Sequence, residues 1–197
     1  MAHVDYFFST ISPFSYLCGT RPAEIAEKNG ATITYRPLDI MGLFARTGGT
    51  APKDRHPSRM EYRAQELRRE SSKAGLPLTL KPAFWPTNPA PSSYAIIAAQ
   101  KVGGDVAGLA KAIGAACWAD DRDISQDDVI RDCLTAAGFD ADLADKHMLT
   151  SADTYAQNLE QAVLRGAFGA PFFITDTDER FWGRDRLDDL DLYLAGA

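Results

Sequence analysis

The chain has 197 residues, of which 45% are hydrophobic and 24% charged, and its formal net charge is −6. That length buries about 70% of the unfolded surface and supports a core without staples, while the acidic balance speaks against nucleic acid as the main partner and no apolar run is long enough to span a membrane. The three cysteines (Cys18, Cys117 and Cys133) are odd in number, widely spaced and form no C-x-x-C, which argues against a disulfide framework or a cysteine zinc site.

The N-terminal "MAHVDYFF" lacks a basic region followed by a long apolar run, so a cytoplasmic location is expected. Val4 to Phe8 reads as a short buried strand. Ser12 follows as an N-cap with Pro13 at the first helical position. Phe14, Leu17 and Cys18 share one face of that helix, and Pro22 predicts a break near Gly19-Thr20. Asn29-Gly30 is a stop, and Ala31 to Asp39 alternates like a second strand, completing a β-α-β unit with a parallel pair. Gly42 to Ser58 reads as a loop rich in Gly, Pro and Thr. Helices are predicted at about 60–74, 91–102, 106–118, 125–137 and 152–165, with a Pro-rich connector from Leu76 to Pro91 that displays Trp85. Ala170 to Asp176 and Arg180 to Gly183 flank the turn "DTDE" as a hairpin, and a last helix is predicted from Arg186 to Leu194, capped by Asp185.

The order β-α-β, helices, β-β-α predicts an α/β chain: a thioredoxin-like domain (1–42 and 166–197) interrupted by an all-helical insertion (43–165). Charge is unevenly spread over it. Leu43 to Lys81 carries nine Lys/Arg against four acids, so this segment is +5 and the remainder −11. Such a region attracts small anions. From Arg59 onward, however, it equally fits a solvated helix face in which Glu66 and Glu70 pair with nearby arginines.

Most catalytic patterns are absent. There is no G-x-S-x-G, no H-E-x-x-H and no phosphate-binding glycine loop, and His3, His56 and His147 are scattered, so no metal is expected. Three positions remain. In a thioredoxin-like fold the junction holding "SPFS" (Ser12 to Ser15) usually carries C-x-x-C. Ser12 is an ordinary N-cap by position, but a hydroxyl there can also donate to a thiolate brought by a ligand and so lower its pKa. No general base is evident for Ser12 as a nucleophile. Ala170-Pro171 precedes a strand where this fold places a cis-proline that presents backbone to peptide-like ligands. Asp185 could accept from a ligand ammonium.

Taken together, "SPFSYL", "FGAPFF" and "FWGRDRLDDL", in this order and over nearly the whole chain, resemble the 2-hydroxychromene-2-carboxylate isomerases, relatives of the kappa-class glutathione transferases within the DsbA-like group. The resemblance implies reduced glutathione as cofactor and an aromatic carboxylate as substrate. It implies Ser12 at the glutathione sulfur, with Phe14, Ala170 and Pro171 beside it and Gly183, Arg184 and Asp185 at the γ-glutamyl head. Thr50, Asp54 and Arg55 fall near the family's loop contacts, Trp85 falls where the family places an aromatic near substrate, and Lys53 with Arg55 would meet the substrate carboxylate. It also implies a homodimer. Other readings are a kappa-like transferase on an unknown electrophile, a DsbA-like oxidoreductase or chaperone, whose redox form the missing C-x-x-C opposes, and a non-catalytic binding module on the same fold.

Overall fold

In the computed structural model, which describes residues 1–196, four strands form one mixed sheet. They are β1 (His3–Phe8), β2 (Thr32–Pro37), β3 (Phe172–Thr175) and β4 (Arg180–Trp182), in the spatial order β2-β1-β3-β4. β1 and β2 run parallel with Val4 opposite Ile33, and β1 pairs antiparallel with β3, Tyr6 opposite Phe173. β4 returns antiparallel beside β3. β1 is covered on both faces, which is why Val4, Tyr6, Phe7 and Phe8 are all apolar or aromatic and Asp5 alone interrupts them. One face stacks Tyr6 on Phe8 and Phe173, with centroids 4.6 and 4.7 Å apart. The other face buries Asp5 under the guanidinium groups of Arg36 and Arg165. The free edge of β2 is blocked by Gln100, whose amide accepts from Tyr35 N–H at 2.6 Å and donates to Tyr35 C=O at 3.2 Å.

The crossover from β1 to β2 divides as predicted. α1 (Pro13–Tyr16) ends before Gly19, at φ +57°, and α2 (Arg21–Lys28) begins with Pro22 in its first turn, where the missing N–H is harmless. Beyond β2 the structure departs from the predicted loop. Asp39 accepts from Met41 N–H at 2.9 Å and caps α3 (Ile40–Thr47), which closes on Gly48. The division drawn between residues 42 and 43 therefore falls inside a helix. A 3₁₀ turn (Pro52–Asp54) leads to α4 (Pro57–Ala74), which starts three residues earlier than predicted.

Four helices follow close to their predicted spans: α5 (Ala90–Val102), α6 (Val106–Trp118), α7 (Asp127–Ala136) and α9 (Met148–Leu164), which starts earlier than expected. α8 (Leu143–Lys146) is an extra turn. The chain closes with a 3₁₀ turn (Arg184–Arg186) and α10 (Leu187–Leu194). Asp185 does not cap α10 as predicted. The 3₁₀ turn displaces the helix start to Leu187, and Asp185 pairs with Arg186 at 2.9 Å instead. Among the described residues, no helix is long and apolar enough to cross a membrane.

α6 fixes the position of α1 through one close approach. A Cβ on Gly114 would lie 2.8 Å from Tyr16 Cδ2 and 3.0 Å from its Cβ. Tyr16 cannot swing aside freely, because its hydroxyl donates to Pro77 C=O at 2.9 Å. Overpacking of this kind costs about 1–3 kcal/mol, and better helix propensity returns at most about 1. We expect Gly114→Ala to lose about 1–2 kcal/mol, read as a lower urea midpoint at unchanged slope.

Candidate active site

Ser12 lines a cleft of about 1300 Å³. The turn that holds it is built locally: Ser12 is extended, its Oγ accepts from Ser15 N–H at 3.3 Å, and Pro13 begins the helix. α1 is a single turn, so its dipole is small and the hydroxyl is the main donor. That hydroxyl reaches only Ala170 C=O, at 3.5 Å, the long limit of a hydrogen bond. Its hydrogen is therefore free to turn toward a better acceptor in the cleft. The Ala170-Pro171 peptide is cis, both residues line the cleft, and Pro171 C=O accepts from Gly183 N–H at 3.0 Å. Gly183 has φ +111°, and a Cβ there would lie 2.4 Å from Asp185 Oδ1, so only glycine lets this loop close on the strand.

No protein sulfur competes with Ser12. Cys18 is buried, its S–H donates to Phe14 C=O at 3.3 Å, and burial pushes its pKa up to about 12. Cys117 and Cys133 are also free, buried and raised, to about 12 and 11. None forms a thiolate near neutral pH.

The cleft gathers Ser12, Phe14, Lys53, Arg55, Trp85, Ala170, Pro171, Gly183, Arg184 and Asp185 from five separate segments. Trp85 is half-buried: its indole N–H donates to Ile11 C=O at 2.9 Å, its ring lies 5.6 Å from that of Trp118, and it still faces the cleft. Three of the residues singled out from sequence sit differently from expectation. Thr50 and Asp54 are exposed and do not face the cleft, because the 3₁₀ turn directs Lys53 and Arg55 inward instead. Arg184 is only 8% exposed, and its side chain is committed to Glu70 and, at 2.8 Å, to Leu17 C=O. Two of its donors are thereby spent on structure rather than offered to a ligand.

Arg63 of α4 was missed from sequence. Met60, Arg63, Leu67, Glu70 and Ala74 follow a three-four spacing, which puts them on one stripe of the helix. Leu67 and Glu70 are buried, and Met60 and Arg63 line the cleft. A charge on the inward stripe is the signal that would have found Arg63. Its guanidinium lies 5.9 Å from the Phe14 ring centroid and 5.8 Å from that of Trp85. Burial, then the nearby charge of Arg55, pushes its pKa down to about 10. Glu70 on the same stripe joins Arg184 and, at 2.7 Å, Lys73. Burial raises the Glu70 carboxyl, but these two cations together outweigh it and hold it below the ordinary value.

The cleft therefore combines an aromatic wall, a mobile hydroxyl donor and an excess of positive charge. Its acids are partnered, Glu66 by Arg69, Glu70 by Lys73 and Arg184, Asp39 by the cap of α3, and Asp185 by Arg186 through Oδ2 alone, which leaves Oδ1 able to accept. Among the described residues, Lys53, Arg55 and Arg63 form no ion pair.

Comparison with known proteins agrees with this architecture. The family model of the DSBA-like thioredoxin domain matches residues 3–195. The chain is 33% identical to a 2-hydroxychromene-2-carboxylate isomerase of Sphingobium xenophagum over 97% of both chains. It is 27% identical to one of Pseudomonas putida over 93% of this chain and 90% of the relative. The solved structure of a 2-hydroxychromene-2-carboxylate isomerase superposes with a TM-score of 0.78 at 24% identity, covering 98% of this chain and 95% of that one. The cytosolic disulfide reductase DsbM of Pseudomonas aeruginosa, solved with GSH, superposes at 0.72 with 18% identity and 98% coverage of each. With serines at both positions of the C-x-x-C spacing and no ionisable protein thiol, the chain belongs to the DsbA-like thioredoxin family and, within it, is an enzyme of the 2-hydroxychromene-2-carboxylate isomerase family.

Proposed function

We propose that the protein is a glutathione-dependent isomerase that interconverts 2-hydroxychromene-2-carboxylate and trans-o-hydroxybenzylidenepyruvate, or a closely related intermediate of aromatic degradation. The observation that carries this reading is the Ser12 hydroxyl, held in the wall of an aromatic, cationic cleft with only a long bond to Ala170 to break. The donor set suits a tripeptide with one sulfur, one ammonium and two carboxylates. Ser12 would donate to the sulfur, the Ala170 backbone would pair with the peptide, and Asp185 would accept from the ammonium beside the Gly183 backbone.

When bound, glutathione would supply the nucleophilic thiolate that a change of alkene geometry requires, since ring opening alone leaves that geometry unchanged. The chain's own residues hold and orient. Ser12 keeps a proton directed at the sulfur and thereby favours its ionised form. Phe14 and Trp85 stack the planar aryl group and exclude water. Lys53 and Arg55 offset the charge of an anionic substrate. The same reading includes a cytoplasmic location, in keeping with three free cysteines, and a homodimer.

The test has two arms. Reduced glutathione at about 100 times its Kd should stabilise the fold by about 2.7 kcal/mol, a rise of several degrees in Tm. Isomerase turnover should be absent without glutathione, appear with it, and fail with S-methylglutathione, which binds but has no thiol. Turnover in the complete absence of thiol would overturn the reading. Stabilisation by glutathione without isomerisation would favour the transferase instead.

A further inference from the structure

We infer that Arg63 is the carboxylate receptor of the cleft: its guanidinium pairs with the carboxylate of an aryl acid whose ring lies against Phe14 and Trp85. The inference builds on the proposed function, and it adds the residue that selects a carboxylate substrate.

The argument begins on α4. Arg63 occupies the inward stripe between Met60 and Leu67, where an apolar residue would complete the packing. A cation left in that position without a partner is disfavoured unless something returns the stabilisation. Nothing in the protein does so in full. No carboxylate reaches Arg63 among the described residues: Glu66, one turn along α4, is taken by Arg69, and Glu70, two turns along, by Arg184 and Lys73. The two aromatic rings supply only a weak cation–π contact. Arg55 repels it.

An arriving carboxylate would satisfy this group. The guanidinium fork matches a carboxylate with two parallel hydrogen bonds, and the partly desolvated setting strengthens them. Position favours the substrate over glutathione as the source of that anion. The rings flanking Arg63 also frame Ser12: Phe14 lies two residues beyond it, and the Trp85 indole is bonded to Ile11, just before it. A planar acid held between these rings and Arg63 would present its conjugated carbons to the Ser12 end of the cleft. Lys53 and Arg55 are less suited. Lys53 is exposed, and Arg55 lies over Phe44 with its Nε donating to Thr50 C=O at 2.8 Å.

The test is direct binding, followed by quenching of tryptophan fluorescence and by calorimetry, with trans-2-hydroxycinnamate and its neutral amide as probes. Wild type should prefer the anion by roughly 10–100-fold. Arg63→Met should erase the preference while leaving the Kd for glutathione within about twofold, and Arg63→Lys should retain part of it. The denaturation midpoint of Arg63→Met should not fall, since Met suits the inward stripe. An anion preference that survives Arg63→Met, or is absent from wild type, would overturn the inference. So would a loss confined to glutathione affinity, which would assign Arg63 to the tripeptide. Failure of glutathione dependence itself appears in a separate titration and leaves this measurement readable.

Discussion

Ser12→Ala is expected to lower kcat/KM by about 10²–10³-fold, with the Kd for glutathione rising only a few-fold. The magnitude is that of losing one donor aimed at developing or resident negative charge in a sheltered site, about 2.7–4 kcal/mol. The hydroxyl is well placed for the task because its present bond, 3.5 Å to Ala170 C=O, is worth little. Turning the O–H from that carbonyl to a sulfur anion exchanges a weak acceptor for a charged one. The first turn offers little beside it: Pro13 has no N–H and Ser15 N–H is spent on Ser12 Oγ, which leaves Phe14 N–H as a neutral backbone donor in a one-turn helix. Two readouts separate this role from a structural one. The thiol of bound glutathione, followed by ultraviolet thiolate absorbance, should titrate about two units higher in the variant, since each unit corresponds to about 1.4 kcal/mol. The deficit in kcat/KM should also shrink at alkaline pH, where the thiol ionises without help. Loss of the N-cap itself costs about 1 kcal/mol and is visible separately in urea. An unchanged thiol titration in Ser12→Ala would sink the proposed role even if activity fell.

The same turn explains how one fold serves both sulfur exchange and isomerisation. A C-x-x-C places a thiol at the positions of Ser12 and Ser15. Here the hydroxyl at Ser12 keeps the hydrogen-bonding geometry of that junction but cannot become a nucleophilic sulfur, and the nearest cysteine, Cys18, is buried with its pKa raised to about 12. The chemistry of a protein thiol is thereby closed off, and under the proposed function a thiol brought by a ligand would take its place.

How far the sequence foretold this arrangement depended on whether a feature was local. β1, the break at Gly19 and Pro22, and the span of α6 are set by short apolar runs and by glycine and proline, and all were legible. α3 was not, although both of its signals stand in the sequence. Asp39 at the cap and Gly48 at the stop are there, but the Gly-rich tail after Thr47 drew the whole stretch into a loop. Arg63 was lost among the many charges of α4, and only its three-four spacing from Met60 and Leu67 separates it from the solvated arginines. Arg184 was beyond local reasoning altogether. Between a glycine and an aspartate it looks like a ligand contact, and its true partner, Glu70, lies 114 residues away.

That distant pair carries the second large expectation: Glu70→Gln should destabilise the protein by about 3–5 kcal/mol, the usual consequence of breaking a buried ion pair by removing one partner. Glu70 is 4% and Arg184 8% exposed, so water cannot replace the lost charge. Arg184 also donates to Leu17 C=O at the end of α1, so the pair links α4, the Gly183–Asp185 loop and the Ser12 helix, three walls of one cleft. The Glu70 carboxyl is held below its ordinary value of 4.5, mainly because Lys73 and Arg184 outweigh burial. Its contribution is therefore complete above that value and is lost as the pH falls below 4.5 through the lowered folded value. Urea unfolding should show a large gap between wild type and Glu70→Gln at neutral pH, and the gap should narrow in acid. Removing both partners in Glu70→Gln/Arg184→Met should cost less than the sum of the single losses, because no unpaired charge stays buried. The Kd for glutathione should rise in Glu70→Gln, since the loop carrying Asp185 loses its anchor. A gap below 1 kcal/mol, or one that does not change with pH, would leave Arg184 held by Leu17 alone and remove the pair from the support of the site.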